Sequence, residues 1–215
     1  MRLPIQVLRI YRVISYSFRY LFCELPRGLN ISPRSKSTGI TLLGNHGYAL
    51  TSRAALKNIL NGIGLQDRSF LDIGSGKGGV IIYSRELGCK NSAGIEYEKF
   101  LPDAAVKNIE KLKLSRHCIS YNLDARNFKS YADFDILFMF NPFDDDIYEE
   151  VVGAIKLQIL QSNASRPRHL ICYGGANIEA VNGSGLFSLI REDCCPYRGN
   201  LFASETEDEQ DSVCR

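Results

Sequence analysis

The chain has 215 residues, 45% of them hydrophobic and 23% charged, with a formal net charge of +2. That balance supports one ordinary core with an extension and excludes a disordered or low-complexity chain. The charge is uneven: residues 1–36 hold Arg2, Arg9, Arg12, Arg19, Arg27, Arg34 and Lys36 against Glu24 alone.

Residues 3–22 come first. Leu3, Val7, Ile10, Tyr11, Ile14, Phe18 and Leu21 recur at helical spacing, with Arg2, Arg9, Arg12 and Arg19 on the opposite side. This is an amphipathic basic helix. Four readings stay open for it: an arm packed on the domain, a membrane-surface anchor, a nucleic-acid contact, or a mitochondrial transit peptide. Arginines interrupt its apolar run, so neither a spanning helix nor a cleaved secretory signal is expected. Residues 26–47 are rich in Pro, Gly, Ser and Asn and read as a linker. A helix is expected over 52–62, capped by Thr51 or Ser52 and ended by Gly62 and Gly64.

From residue 69 strands and helices alternate. Strands are expected near 69–73, 92–96, 118–122, 134–140 and 168–173, and helices near 78–88, 101–113 and 145–161. Alternation predicts a parallel sheet with helices on both faces, and the unbroken run Ile136-Leu137-Phe138-Met139-Phe140 fits a strand buried on both sides. After Gly174-Gly175, the runs Leu186–Ile190 and Asn200–Ala203 flank Pro196 and Gly199 and read as an antiparallel hairpin. Glu205, Glu207, Asp208, Glu209 and Asp211 make an acidic, solvated tail. The chain therefore divides into an arm and linker (1–45), a domain (46–204) and a tail (205–215).

Seven cysteines show no Cys-x-x-Cys, and several lie in or beside apolar runs, which fits reduced thiols in a reducing compartment. His46, His117 and His169 have no metal-ligand spacing, so no metal is expected.

The richest stretch is Phe70-Leu71-Asp72-Ile73-Gly74-Ser75-Gly76-Lys77-Gly78-Gly79. An apolar strand ends in an acid, a glycine turn follows, and a helix begins. Such a turn offers backbone N–H groups and a helix N-terminus to a ligand. Asp72 adds a carboxylate, which suits a ligand carrying positive charge. Glu96 lies about twenty residues on, at the next strand end, where a carboxylate accepts ribose hydroxyls. Asp124 ends the third strand, so three successive strands end in an acid. Gly74-x-Gly76-x-x-Gly79 with Glu96 also satisfies a dinucleotide fingerprint, which keeps an NAD(P)-dependent oxidoreductase open as an alternative.

Asp72-x-Gly74-x-Gly76-x-Gly78 resembles the first motif of class I S-adenosylmethionine-dependent methyltransferases. The resemblance runs from about Tyr48 to Phe143 and looks like a small group in which Asn141-Pro142-Phe143 ends the fourth strand. The group often has Arg where this chain has Gly79. The resemblance implies a Rossmann-like methyltransferase fold: a three-layer α/β/α sandwich with a mostly parallel seven-stranded sheet and a C-terminal antiparallel hairpin. It implies S-adenosyl-L-methionine as cofactor. Tyr48 and Thr51 would lie over it, Asp72 would favour its positive end, and Gly74, Ser75, Gly76 and Gly78 would form its cradle. Glu96 would hold the ribose, Tyr97 would face the adenine, and Asp124 with Ala125 would meet the adenine amine. Asn141, Pro142 and Phe143 would shape an acceptor pocket similar to that of amino-group methyltransferases, though the second proline of their motif is missing. The acceptor is expected to be an amino nitrogen. A non-catalytic cofactor-binding module, recruited to membrane or RNA through residues 1–36, is the remaining alternative.

Overall fold

The computed structural model describes residues 24–31, 48–162, 168–174, 177–193 and 199–204. The basic helix over 3–22, residues 32–47 of the linker, Gly175, Pro196 and the acidic tail lie outside the described residues.

Seven strands form one sheet: β1 (Ser69–Ile73), β2 (Asn91–Glu96), β3 (Cys118–Asn122), β4 (Ile136–Phe140), β5 (His169–Tyr173), β6 (Phe187–Asp193) and β7 (Gly199–Ser204). Their order is β3-β2-β1-β4-β5-β7-β6. The first five are parallel, and β7 returns antiparallel between β5 and β6. This is the Rossmann-like methyltransferase topology, with the hairpin closing one edge.

Helices α1 (Arg53–Ile59), α2 (Gly79–Leu87), α3 (Leu101–Lys111), α4 (Asp145–Leu160) and α5 (Ile178–Gly183) flank the sheet. Alternate strand residues feed two cores, as the two-residue period of a strand requires. Leu71, Ile73, Leu137 and Met139 face α4 on one side. Phe70, Ile136 and Phe138 face the α1 and α2 side. Among the described residues no helix is long and apolar enough to cross a membrane. Cys89, Cys118 and Cys172 are buried and free.

Three differences from the expected elements have local causes. β4 begins at Ile136 rather than 134. Asp135 instead accepts hydrogen bonds from the Ser69 N–H (2.8 Å) and hydroxyl (2.9 Å), closing the start of β1. Helix α1 ends at Ile59, and the Arg191 guanidinium reaches from β6 to the terminal carbonyls of Ile59 and Asn61. Residues 24–31 are partly core: Leu29 and Ile31 are fully buried against the α2 side.

Candidate active site

The sheet order reverses between β1 and β4. β2 lies to one side of β1 and β4 to the other, so the connections leaving their C-terminal ends diverge and open a crevice. Ligands in open α/β sheets bind there. The loops after β1 and β4 meet at its mouth. A Cβ on Gly74 would come within 2.7 Å of Pro142 Cβ, so only glycine allows this approach.

The β1 turn is built from left-handed glycines: φ is +86° at Gly74, +52° at Gly76 and +78° at Gly78. Gly74 and Ser75 donate to the Ile95 carbonyl, both at 2.9 Å, which fixes the turn against β2. Gly78 is the N-cap of α2 and donates to the Ser75 carbonyl at 2.9 Å. The N-terminus of a nine-residue helix therefore opens into the turn and favours negative charge there.

A small cleft lies beside this turn, lined by Tyr48, Thr51, Asp72, Gly74, Ser75 and Phe140 among others. Asp72 is 2% exposed. Burial, and then the neighbouring Glu96 charge, push its carboxyl well above the usual carboxylate range. An anion held this way is destabilised until a cation joins it. Ser52, not Thr51, caps α1, accepting from the Ala55 N–H at 3.2 Å. That leaves the Thr51 hydroxyl in the cleft wall. Thr51 Oγ1 and Ser75 Oγ are buried and have no hydrogen-bond partner. Buried hydroxyls are nearly always partnered, so two orphans on one cleft mark the place of a polar ligand.

Tyr48 covers the turn. Its ring lies against the Gly76 backbone, where any Cβ would overlap it. Its hydroxyl donates to the Ile31 carbonyl at 3.4 Å, and the Lys77 ammonium stands 5.3 Å from its ring centre. Burial, with the Asp72 and Glu96 charges, raises the Tyr48 pKa. Burial lowers that of Lys77.

Glu96 ends β2. One carboxylate oxygen accepts the Gly76 N–H and the other accepts the Glu98 N–H, each at 2.8 Å. Burial raises its pKa, while these amide bonds oppose the rise. Each oxygen keeps a second acceptor site. The Asn122 amide pins the carbonyls of Glu96 and Tyr97 at 2.9 and 3.1 Å, and the Tyr97 ring is left half-exposed on the rim.

Asp124 stands on the same rim but is engaged. It caps a 3₁₀ turn over Ala125–Asn127 and accepts Arg126 N–H at 2.9 Å. Its carboxylate also takes the Arg126 guanidinium at 3.1 and 2.7 Å. These contacts hold its pKa below the usual value. Ala125 is buried beneath it.

Asn141 follows β4 with φ +40°, a left-handed backbone that costs a non-glycine residue energy. Phe143, two residues on, is buried in the α4-side core. Of the aromatics that line the cleft, Tyr48, Phe138 and Phe140, Phe140 packs with its ring centre 4.9 Å from that of Tyr173 and against Gly174. It looked like strand core in the sequence because it closes the apolar run. Among the described residues no cluster of His, Cys, Asp and Glu is arranged to hold a metal.

Residues 41–161 match the family described as "Histone methylation protein DOT1". No curated protein matches the chain in sequence. Solved structures do match in fold. An Escherichia coli putative methyltransferase, yhhF, is 22% identical with a TM-score of 0.57, over 72% of this chain and 86% of that one. An RNA methyltransferase from Salinibacter ruber, in complex with S-adenosyl-L-homocysteine, is 14% identical with a TM-score of 0.60, over 74% and 95%. A ribosomal protein L11 methylase from Lactobacillus delbrueckii is 14% identical with a TM-score of 0.55, over 75% and 81%.

Proposed function

Because the chain belongs to the DOT1 family and is a class I S-adenosylmethionine-dependent methyltransferase, we propose that it methylates an amino nitrogen from the crevice between β1 and β4. The family decides between the two readings of the glycine turn, and S-adenosylmethionine is the cofactor.

The observation that carries the placement is the pairing of a buried, destabilised carboxylate with two orphan hydroxyls on one cleft. Asp72 gains most from a cationic ligand, and the Thr51 and Ser75 hydroxyls gain a carboxylate or ammonium partner. The α2 N-terminus then favours a carboxylate. These needs fit the methionine end of the cofactor. The cleft is far too small for the whole molecule, so the nucleoside lies outward along the β2–β3 rim. There Glu96 takes the ribose hydroxyls on its free lone pairs, and Tyr97 faces the adenine. Asp124 meets the adenine amine on a carboxylate lone pair that its ion pair with Arg126 leaves free.

Held by these residues, the cofactor would supply an electrophilic methyl group to an amine lone pair, with the carbon–sulfur bond breaking as the carbon–nitrogen bond forms. The protein's work is alignment and proton control, since positioning lowers a barrier by several kcal/mol. In this reading Asn141 accepts an N–H from the acceptor with its side-chain oxygen. Its left-handed backbone and the Pro142 contact with Gly74 support this by fixing the loop after β4 where it meets the loop after β1. Phe140 and Tyr48 wall the approach. The acceptor must arrive neutral, because a protonated amine has no lone pair to give.

The family description makes histone protein the first acceptor to test. Methyl-labelled cofactor is incubated with core histones and with protein, RNA and small-molecule fractions of a cell extract. Hydrolysis of the labelled product is expected to yield a methylated amine, and Asn141→Ala is expected to lose the label. Label on oxygen or carbon contradicts the amine reading.

A further inference from the structure

Gly76, Lys77 and Gly78 form the outer half of the cofactor turn, and two of the three have left-handed backbones. A peptide followed by a glycine flips cheaply, because no Cβ on that residue resists either orientation. A flip at Lys77–Gly78 would aim a carbonyl where an N–H belongs, since the two point opposite ways across a trans peptide. Something must hold it.

Asn108 does. It lies on the buried face of α3, one turn after Ala105, and is 3% exposed. Ala105 packs on Gly78 so closely that a Cβ there would come within 2.9 Å of it. The Asn108 amide donates to the Lys77 carbonyl at 3.0 Å. With the Lys77 carbonyl held outward, the Gly78 N–H turns inward to the Ser75 carbonyl at 2.9 Å.

The same side chain holds residues 24–31. Its oxygen accepts the Asn30 N–H at 2.8 Å, and its amide donates to the Asn30 carbonyl at 3.3 Å. Leu29 and Ile31 are buried beside it. The Ile31 carbonyl accepts the Tyr48 hydroxyl, and Glu24 accepts the Tyr83 hydroxyl at 2.8 Å. The strap therefore touches both the floor of the turn and the tyrosine that covers it.

We propose that Asn108 is a positioning residue for the cofactor, pinning the Lys77–Gly78 peptide and tying it to a strap, residues 24–31, that forms part of the binding unit. This rests on the turn being the cofactor's seat. A buried asparagine on an apolar helix face is a poor helix former, and its cost is offset here by three hydrogen bonds to two other segments.

The test uses the full chain and S-adenosylhomocysteine. Hydrogen exchange is followed in peptides covering 24–31 and 74–79, with and without ligand, and dissociation constants are measured by calorimetry. Wild type is expected to bind, with exchange slowed in both peptides. Asn108→Ala is expected to bind about tenfold more weakly, the scale of one buried hydrogen bond to a fixed partner. Asn108→Asp keeps the acceptor for Asn30 but cannot donate to Lys77, and is expected to bind as weakly as Asn108→Ala. Ser69→Ala, which removes hydrogen bonds at the start of β1, at the opposite end of the sheet from the turn, lowers the melting temperature and leaves the dissociation constant unchanged. If wild type protects 74–79 but not 24–31, or either Asn108 variant binds like wild type, the proposal is wrong. Should the variants not fold, the wild-type exchange pattern decides it. Wild type that fails to bind at all overturns instead the placement of the cofactor.

Discussion

Replacing Glu96 by glutamine turns one carboxylate oxygen into an NH₂ group and leaves the shape unchanged. In most settings that is mild. Here both oxygens already accept backbone N–H groups, from Gly76 and from Glu98, each at 2.8 Å. Whichever way the amide turns, one N–H faces another donor. If it faces Gly76, the cofactor turn is pushed out of shape. If it faces Glu98, the start of the next segment moves. The variant also loses the charge on the proposed acceptor of the ribose hydroxyls. A hydrogen bond to a charged group contributes about 1.5–3 kcal/mol. At 1.4 kcal/mol per factor of ten, Glu96→Gln should weaken S-adenosylhomocysteine binding by roughly 10- to 100-fold. Isothermal calorimetry at neutral pH reads this directly, with circular dichroism confirming that the sheet persists. A Glu96→Gln protein that binds within twofold of wild type would refute the reasoning, because its geometry leaves no silent arrangement for the amide.

Other substitutions divide stability from function. Asp72 has a folded pKa raised above its unfolded value of 3.8, so the folded state binds the proton more tightly. Its contribution is fully present below the unfolded pKa and is lost as pH rises toward the folded one, so at neutral pH the buried carboxyl is a burden. Asp72→Asn should raise the melting temperature of the free protein at neutral pH, by about 2–4 °C per kcal/mol relieved, while weakening S-adenosylmethionine binding. The stability difference should shrink as pH falls toward 4, and a variant less stable at neutral pH would contradict the assignment. Gly78→Ala must accept φ +78° and a Cβ 2.9 Å from Ala105 Cβ. The backbone strain alone is about 1–2 kcal/mol, so the melting temperature should fall by roughly 2–8 °C in thermal denaturation. Ser52→Ala removes the α1 cap and should cost about 1 kcal/mol by urea unfolding, with catalysis retained.

The parallel sheet was legible because its strands are buried on both faces. A continuous apolar run such as Ile136–Phe140 admits few other readings at that length. The glycine turn was legible because three left-handed positions need the residue that occupies them. Less visible was anything set by contacts between distant segments. Asn108 reads locally as one polar residue in a helix, and its value comes from Asn30 and Lys77, far away in the chain. A polar residue on the apolar face of α3 was the available signal. Leu29 and Ile31 lie among Pro, Gly and Asn, so composition named a linker where two side chains are core. The short helix α5 has too few residues to show a period.

A crystal structure with S-adenosylhomocysteine tests the placement most directly. The ribose hydroxyls should lie within hydrogen-bond distance of Glu96, and the amino-acid end should enter the cleft beside Asp72, Thr51 and Ser75. Ligand density away from the β1–β4 crevice, or a bound ligand that leaves the Thr51 and Ser75 hydroxyls unpartnered, would contradict it.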